Sequence, residues 1–266
     1  MGYTCPNRDG RIGMGGCSYC NNSAFVPSYC EPKDSITAQI QKGISFFGKK
    51  YPEMRYLAYF QAYTSTYSED RNRLLAGYKE ALNINGIEGI IISTRPDCID
   101  ISLLEDLKEI AEVTGKRVMF EIGVETIHDD TLIKINRGHT GTQALNAIKL
   151  VGTYGFDVCV HLIMGLPEET EEMMMQSIDT VCNLPITSIK LHQLQIIKGT
   201  EFEKQWKNNP DAFNLFDVER YLNFCRKVIE RVPSNIAIER FTSSSPADLL
   251  LAPKWGLKNY EFSNLL

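Results

Sequence analysis

Residues 157–165, Asp157-Val158-Cys159-Val160-His161-Leu162-Ile163-Met164-Gly165, form the stretch from which the fold class follows. Every second position is a large apolar residue suited to contact with helices, whereas the opposite positions include Cys159, His161 and Gly165. This period of two predicts a β-strand with one more polar face. A helix-like segment, Thr170–Asn183, and a second strand-like stretch, Ile186–Ile196, follow in the chain. Strand, helix and strand in this order predict a βαβ unit with parallel strands.

The same alternation extends over the rest of the chain. Further strand-like stretches are Arg55–Gln61, Gly89–Ser93, Arg117–Val124 and Asn235–Phe241. Further helix-like segments are Asp34–Tyr51, Glu69–Asn83, Ile101–Thr114, Gly141–Tyr154 and Val218–Arg231. The strands begin roughly 30 to 48 residues apart, which is the spacing of βαβ units. We predict an α/β fold whose parallel sheet curls into a full or partial barrel, with His161, Lys190 and His192 facing inward.

Composition excludes several classes of protein. The 266 residues are 43% hydrophobic and 23% charged, which is typical of a globular chain and excludes a disordered one. No apolar run approaches the ~18 residues of a membrane span, and the first residues show no signal-peptide pattern. The net charge of −5 argues against wholesale binding of a phosphate backbone. Eight cysteines without a secretion signal favour a cytoplasmic protein whose thiols are metal ligands or core residues.

Four of these cysteines fall within the first 30 residues, and three of them lie in one loop. Cys17 and Cys20 form a C-x-x-C pair, and Cys5 precedes them across a segment that contains four glycines. Clustered thiolates select soft metals, either zinc or an iron–sulfur cluster. A zinc site with four thiolates would recruit Cys30, although Cys5 has no partner two to four residues away. Three thiolates on a four-iron cluster would instead leave one iron open to a cofactor.

The loop Cys-Pro-x10-Cys-x-aromatic-Cys resembles the cluster loop of the radical S-adenosylmethionine (SAM) superfamily. Its long first gap is similar to that of the Elongator catalytic subunit, and the whole chain resembles the YhcC-type radical SAM proteins. The segments that carry this resemblance are 4–10, 59–64, 94–97, 136–139, 161–167, 190–192 and 251–255. The resemblance implies a partial (β/α)6 TIM-like barrel over residues 1–245, with the cluster loop at residues 5–20. Residues 246–266 are expected to be a C-terminal extension that packs on the barrel.

The family has a first strand before the cluster loop, whereas four residues precede Cys5 here. We expect either that most of this strand is missing or that Met1–Thr4 is its remnant.

The resemblance also implies site residues. Cys5, Cys17 and Cys20 would each bind one iron of a 4Fe-4S cluster. Residues in the positions of SAM contacts are Tyr19 for the adenine, Gln61 and Ala62 for the methionyl amino group, Glu125 and His161 for the ribose, and Arg137 for the carboxylate. Ser93 takes the place of another acidic contact. For Glu125, Arg137 and His161 a buried ion pair or a satisfied polar group of the core is an equally open interpretation.

The activity implied by the resemblance is reductive cleavage of SAM at the 4Fe-4S cluster. The resulting 5′-deoxyadenosyl radical would abstract hydrogen from a substrate, which is an RNA base, a small molecule or a protein. Flavodoxin or ferredoxin would supply the electron. A zinc-stapled (β/α) binding protein without redox chemistry is the alternative. Cys30 is left open as a fourth ligand, a thiol near the substrate or an inert residue.

Overall fold

The computed structural model describes residues 4–27, 29–31 and 33–266 of the chain. The expectation for Met1–Thr4 falls almost wholly on residues 1–3, which lie outside this description. Thr4 is described, and its carbonyl accepts a hydrogen bond from the backbone N–H of Thr64 at 3.3 Å.

Strands and helices alternate along most of the described chain. The strands are β1 (Tyr56–Phe60), β2 (Ile87–Thr94), β3 (Arg117–Glu125), β4 (Asp157–Met164), β5 (Ser188–Gln193), β6 (Ile196–Ile197), β7 (Ala237–Arg240) and β8 (Leu250–Ala252). The helices are α1 (Ile36–Gly48), α2 (Arg71–Leu82), α3 (Ile101–Thr114), α4 (Asp129–Lys134), α5 (Gly141–Thr153), α6 (Glu171–Cys182), α7 (Glu201–Asn208), α8 (Val218–Arg231) and α9 (Asn259–Ser263). Among the residues described, no helix combines the length and the apolar character needed to cross a membrane.

Six of the described strands form one parallel sheet in the order β1-β2-β3-β4-β5-β7. Each of these six strands pairs with the next one of the six along the chain. The sheet curls into a partial barrel. The register places Gly123 of β3 beside His161 of β4, and His161 beside Lys190 of β5. Paired residues point to the same face of a sheet, so these positions line the inner surface together. The predicted α/β partial barrel is thereby confirmed.

The outer face of the sheet packs against the helices. Val158, Val160 and Leu162 of β4 are fully buried there, in one hydrophobic cluster with Ile148 of α5 and Ile178 of α6. The helices begin at side chains that accept a hydrogen bond from the third following N–H, namely Asp70, Asp100, Thr140, Thr170 and Asp217 for α2, α3, α5, α6 and α8. Such caps satisfy N–H groups that the helix itself leaves unpaired. The apolar residues of β4 therefore lie on its outer face, and its polar residues lie on the inner face.

The predicted strand Ile186–Ile196 is wrong at its C-terminal end. The sheet strand β5 ends at Gln193, and Ile196 belongs to β6, which pairs antiparallel with β8 in a separate small sheet. The cause is a second hydrophobic cluster, in which Leu194 and Ile196 pack with Phe202 of α7. These apolar residues continue the pattern of the strand, but they are buried in this second cluster and not in the cluster outside the sheet.

Residues 246–266 pack on the rest of the described chain through β8 and α9. The indole Nε1–H of Trp255 donates to the carbonyl of Phe216 at 3.0 Å. Phe262 of α9 is fully buried, and its ring lies 5.4 Å from that of Tyr221 in α8.

Candidate functional site

The cysteine loop is a compact turn held by its own backbone. The N–H of Arg8 donates to the carbonyl of Cys5 at 2.8 Å, and the N–H of Gly16 donates to that of Asn7 at 2.8 Å. Gly16 has φ +87°, and a Cβ atom there would lie 2.8 Å from Nε of Arg8. Glycine is required at this position because the turn needs both a left-handed backbone and room for the Arg8 side chain.

Arg8 links the two ends of the loop. Its Nη2 donates to the carbonyl of Cys20 at 2.8 Å, and its charge acts on the thiols of both Cys20 and Cys5. Burial raises the pKa of Cys20, as does the nearby Cys17, whereas Arg8 and Arg137 lower it. One guanidinium thus contacts each cysteine of the pair, Arg8 at the carbonyl of Cys20 and Arg137 at Sγ of Cys17.

Two asparagines fasten the loop to the end of α4. Nδ2 of Asn7 donates to the carbonyl of Asn136 at 2.6 Å, and Nδ2 of Asn136 donates to the carbonyl of Gly16 at 2.8 Å. The N–H of Ser18 donates to the carbonyl of Ile135 at 2.9 Å. Asn136 has φ +51°, a conformation that asparagine tolerates better than most residues. The Asn136–His139 segment therefore positions the cysteine loop at the carboxyl edge of the sheet.

The guanidinium of Arg137 lies against Cys17, and each of its three nitrogens has a partner. Nη1 donates to Sγ of Cys17 at 3.5 Å, and Nη2 donates to the carbonyl of Gly123 and lies 3.2 Å from Oε1 of Glu125. Nε donates to Nε2 of His139 at 3.0 Å. Burial alone would lower the pKa of Arg137, but neighbouring acidic groups raise it, so the group is charged. A cation is thus held against the thiol of Cys17.

Tyr19 and Glu125 contact each other across the same site. The hydroxyl of Tyr19 donates to Oε1 of Glu125 at 3.0 Å. Burial raises the pKa of Tyr19 well above its ordinary value, so this hydroxyl remains a donor. Gly123 makes the arrangement possible, because a Cβ atom there would lie 2.7 Å from Nη2 of Arg137 and 2.9 Å from Oε1 of Glu125.

The ends of β1 and β2 complete the edge nearest the loop. Gln61 and Ala62 are half-buried and directly follow β1. The hydroxyl of Ser65 donates to the carbonyl of Ala62 at 3.4 Å, and the N–H of Ser65 donates to the carbonyl of Ser93 at 3.0 Å. Both predicted contact segments thus lie at adjacent strand ends, and their roles toward SAM stay predictions.

His161 lies deeper in the barrel, in a polar group that the sequence identified only in part. Nε2 of His161 is 2.8 Å from Oε2 of Glu121, and Nζ of Lys190 binds the other oxygen of the same carboxylate. The hydroxyl of Tyr59 also donates to Glu121, and the ring of His192 lies 5.1 Å from that of His161. These five residues are called the inner polar group below.

Glu121 is the centre of the inner polar group. It is fully buried, which by itself would raise its pKa, but His161 and Lys190 outweigh burial and lower the pKa to about 2. Burial and His161 lower the pKa of His192 well below its ordinary value, so this imidazole is neutral. Sequence analysis missed Tyr59 and Glu121, although their inward positions on predicted strands were a usable signal.

The remaining cysteines divide between the site and the core. Burial raises the pKa of Cys98 to about 12, and this thiol lies within the electrostatic range of Cys5 and Arg95. Burial and then Asp34 raise the pKa of Cys30, which lies just before α1. Burial also raises the pKa of the thiols of Cys159, Cys182 and Cys225.

The donor set of the loop fits an iron–sulfur cluster. Cys5, Cys17 and Cys20 are free thiols on one glycine-rich turn, and Nδ2 of Asn7 donates to Sγ of Cys17 at 3.6 Å. Thiolates are the form that binds iron, and Asn7, Arg8 and Arg137 offer hydrogen bonds and positive charge next to the loop. Within the described ranges, no three His, Cys, Asp or Glu side chains are grouped closely enough to hold a single metal ion. A four-iron cluster offers each thiolate its own iron and does not require such a group.

Sequence comparisons relate the chain to known proteins. Residues 4–181 match the family described as the Radical SAM superfamily, and residues 186–266 match the Radical SAM C-terminal domain. Protein YhcC of Escherichia coli (strain K12) is 37% identical over 254 residues, which are 96% of this chain and 80% of YhcC. Elongator complex protein 3 of Dictyostelium discoideum is 27% identical over 177 residues, which are 65% of this chain and 30% of that protein.

A comparison with solved structures agrees on the fold. The crystal structure of Streptococcus suis SuiB bound to S-adenosylmethionine superposes with a TM-score of 0.55 and 14% identity. The match covers 86% of this chain and 47% of SuiB.

Proposed function

The chain belongs to the radical SAM superfamily, and from this premise we propose that it reductively cleaves SAM and abstracts hydrogen from a substrate. The observation that carries the proposal is the three-cysteine loop, held at the carboxyl edge of a parallel partial barrel with Arg137 against Cys17. In barrels of this kind, chemistry takes place at the carboxyl ends of the strands.

The residues of the loop have distinct tasks in this proposal. Cys5, Cys17 and Cys20 hold the 4Fe-4S cluster as thiolates, and Arg8 and Arg137 balance their negative charge. When bound, the cluster and SAM supply an electron and a 5′-deoxyadenosyl radical. An external flavodoxin or ferredoxin delivers the electron.

The SAM contacts are proposed from the predicted positions at the strand ends. Tyr19 flanks the adenine, Gln61 and Ala62 hold the amino group, and Arg137 pairs with the carboxylate. Glu125 and His161 are assigned to the ribose, and Ser93 to a further SAM contact. For Arg137 and Glu125 this assignment requires SAM to replace or share contacts that the two residues now make with each other.

We propose that the substrate approaches SAM from the interior of the barrel, where the inner polar group lies. Tyr59, Lys190 and His192 offer hydrogen-bonding and aromatic surfaces below the cluster loop. An RNA base, a small molecule or a protein side chain would meet these surfaces in the cytoplasm. The name of Elongator complex protein 3 does not decide among them, because the shared region is 30% of that protein.

The decisive experiment is anaerobic reconstitution with iron and sulfide, followed by incubation with dithionite and SAM. We expect a brown protein that converts SAM to 5′-deoxyadenosine, measured by liquid chromatography and mass spectrometry. The Cys17→Ala variant is the matched control and should form none. A colourless wild-type protein that retains zinc instead of iron would support the zinc-stapled alternative and overturn the proposal.

A further inference from the structure

Arg95 is a buried arginine next to the cysteine loop. The proposed function gives this arginine no role. It directly follows β2, and its side chain is 3% exposed. Nε and Nη2 each donate to one carboxylate oxygen of Asp97, both at 2.9 Å. Nη1 is buried and has no hydrogen-bond partner among the described residues. A buried charged donor without an acceptor is unfavourable, so Nη1 is the feature that needs a ligand.

The surroundings of Arg95 indicate which ligand this is. Its charge acts on Cys17 and on Arg137, and it also affects the thiol of Cys98. Gly138, with φ +78°, lies between Arg95 and the loop, because a Cβ atom there would be 3.6 Å from Nη2 of Arg95 and 3.3 Å from Oδ1 of Asn7. Asn7 in turn donates to Sγ of Cys17. Arg95 therefore lies near the loop on the side of Asn7 and Cys17, and the sulfur of Cys17 is a hydrogen-bond acceptor there.

The other arginines near the loop have their contacts made, whereas Nη1 of Arg95 has none among the described residues. The guanidinium of Arg137 is engaged on every edge, by Cys17, Gly123, Glu125 and His139. Burial and Arg137 lower the pKa of His139 to about 3, so this imidazole is neutral and accepts from Arg137.

We infer that Nη1 of Arg95 donates a hydrogen bond to a sulfur atom of the cluster held by Cys5, Cys17 and Cys20, and that it raises the reduction potential of this cluster. The inference rests on the proposed function. Reduction adds negative charge to the cluster, so a hydrogen bond from a cation favours the reduced form. Arg95 is thus a residue that tunes electron entry, distinct from the thiolates that bind iron.

The test is the midpoint potential of the reconstituted protein, measured without SAM by potentiometric titration followed by electron paramagnetic resonance. The main variant is the double substitution Arg95→Gln with Asp97→Asn, because it removes the donor without leaving Asp97 unpaired. We expect the equilibrium constant for one-electron reduction to fall at least tenfold, which is a shift of about 59 mV to more negative potential. Arg11→Gln is the control, since Arg11 lies in the same loop but is exposed and pairs with Glu69. It should leave the potential unchanged.

Arg95→Lys provides a second measurement if the double variant does not load iron. Lysine keeps the charge but not the forked donor geometry, so a smaller shift in the same direction is expected. An unchanged potential in the loaded double variant, or in the lysine variant where only that one loads, overturns the inference. An unchanged potential with at least tenfold weaker SAM binding in calorimetry also overturns it, because Nη1 would then serve the SAM carboxylate. A wild-type protein that loads no cluster overturns the proposed function, and this inference with it.

Discussion

At the scale of single residues, the site places the guanidinium groups of arginines next to cysteine thiols. Arg137 contacts Sγ of Cys17 and lies 3.2 Å from Glu125, so it has both a sulfur and a carboxylate partner. Such an arginine can have a structural role or a cofactor-binding role. Here the two are compatible, because the same side chain that fastens Glu125 also presents its charge to the cluster loop.

The cysteine assignment leads to the first prediction. Replacing Cys5, Cys17 or Cys20 by Ala should abolish cluster loading, because each thiolate is expected to hold one iron. Iron and sulfide content and the absorbance near ~400 nm measure the result. Cys225→Ala, a core thiol in α8, and Cys30→Ala are the controls and should retain iron. A full four-iron complement in the Cys17→Ala protein would contradict the assignment, and loss of iron in Cys30→Ala would make Cys30 a ligand.

The second prediction separates cofactor binding from cluster binding at Arg137. Arg137→Ala should keep its iron but bind SAM at least ~10-fold more weakly, a loss of about 1.4 kcal/mol or more, because a charge partner of the carboxylate is removed. Arg137→Lys should recover part of the affinity, since lysine lacks the two-pronged donor geometry. Calorimetric titration of SAM into the reconstituted anaerobic proteins measures both. Unchanged affinity in the alanine variant would leave Arg137 with a structural role at Glu125 and Cys17.

At the scale of elements, β3 organises the interior through its alternation and through a register shift near its end. Glu121 and Gly123 share its inner face, and Glu125 follows the register shift with φ +66°. Glu125 contacts Tyr19 and Arg137 near the loop, Gly123 leaves space for Arg137, and Glu121 gathers the inner polar group below. One strand therefore contributes residues both to the proposed cofactor site and to the proposed substrate site.

Glu121 gives a prediction for pH dependence. Its pKa falls from an ordinary value of 4.5 to about 2 in the folded state. The stabilisation is therefore complete above pH 4.5 and is lost as the pH falls toward 2. Glu121→Gln should lower the free energy of unfolding at neutral pH by about 3 kcal/mol or more, because Lys190 and His161 lose their shared partner.

Urea unfolding at several pH values measures this effect. The difference between the wild type and Glu121→Gln should shrink as the pH falls from about 5 to about 3, as the unfolded wild-type chain takes up a proton. Glu88→Gln is the control, because Glu88 is an exposed glutamate on the neighbouring strand β2. A difference that stays constant over this pH range would contradict the charged state assigned to Glu121.

The strands and the cysteine loop were predictable from sequence because their signals are local. The period of two in β4 and the spacing of Cys5, Cys17 and Cys20 need no knowledge of distant residues. The predicted superfamily and the predicted partial barrel are both confirmed. The short helices α7 and α9 were not predicted, since they have 8 and 5 residues, fewer than the ~10 over which a helix is recognised from its apolar pattern.

The missed site residues depend on contacts between distant parts of the chain. Glu121 and Tyr59 are 62 residues apart in the sequence, and each by itself is an ordinary residue of a strand. Arg95 precedes a Pro-Asp turn, which explains its ion pair with Asp97 but gives no indication that another nitrogen of Arg95 is buried without a partner among the described residues. Only the curvature of the sheet brings such residues to one place.

At the scale of the whole molecule, the described chain has two hydrophobic clusters, one outside the sheet and one beneath α7. Residues 246–266 contribute to both, through Phe262 to the first and through Leu251 and Ala252 to the second. The predicted division at residue 245 therefore crosses packed surfaces. We expect the segment after it to unfold together with the barrel.

The last prediction tests this coupling at Phe262. Phe262→Ala should lower the free energy of unfolding by about 3–5 kcal/mol, because the ring is fully buried against Tyr221 and Trp255 and its removal leaves a cavity. Tyr260→Ala is the matched control in the same helix; its side chain is 59% exposed, so the change should stay within about 0.5 kcal/mol. Both are measured by urea unfolding with fluorescence and circular dichroism, and the two probes should report one transition. A loss below about 1 kcal/mol for Phe262→Ala, or a separate early transition seen by tryptophan fluorescence alone, would show that the C-terminal segment is an appendage whose packing does not support the barrel.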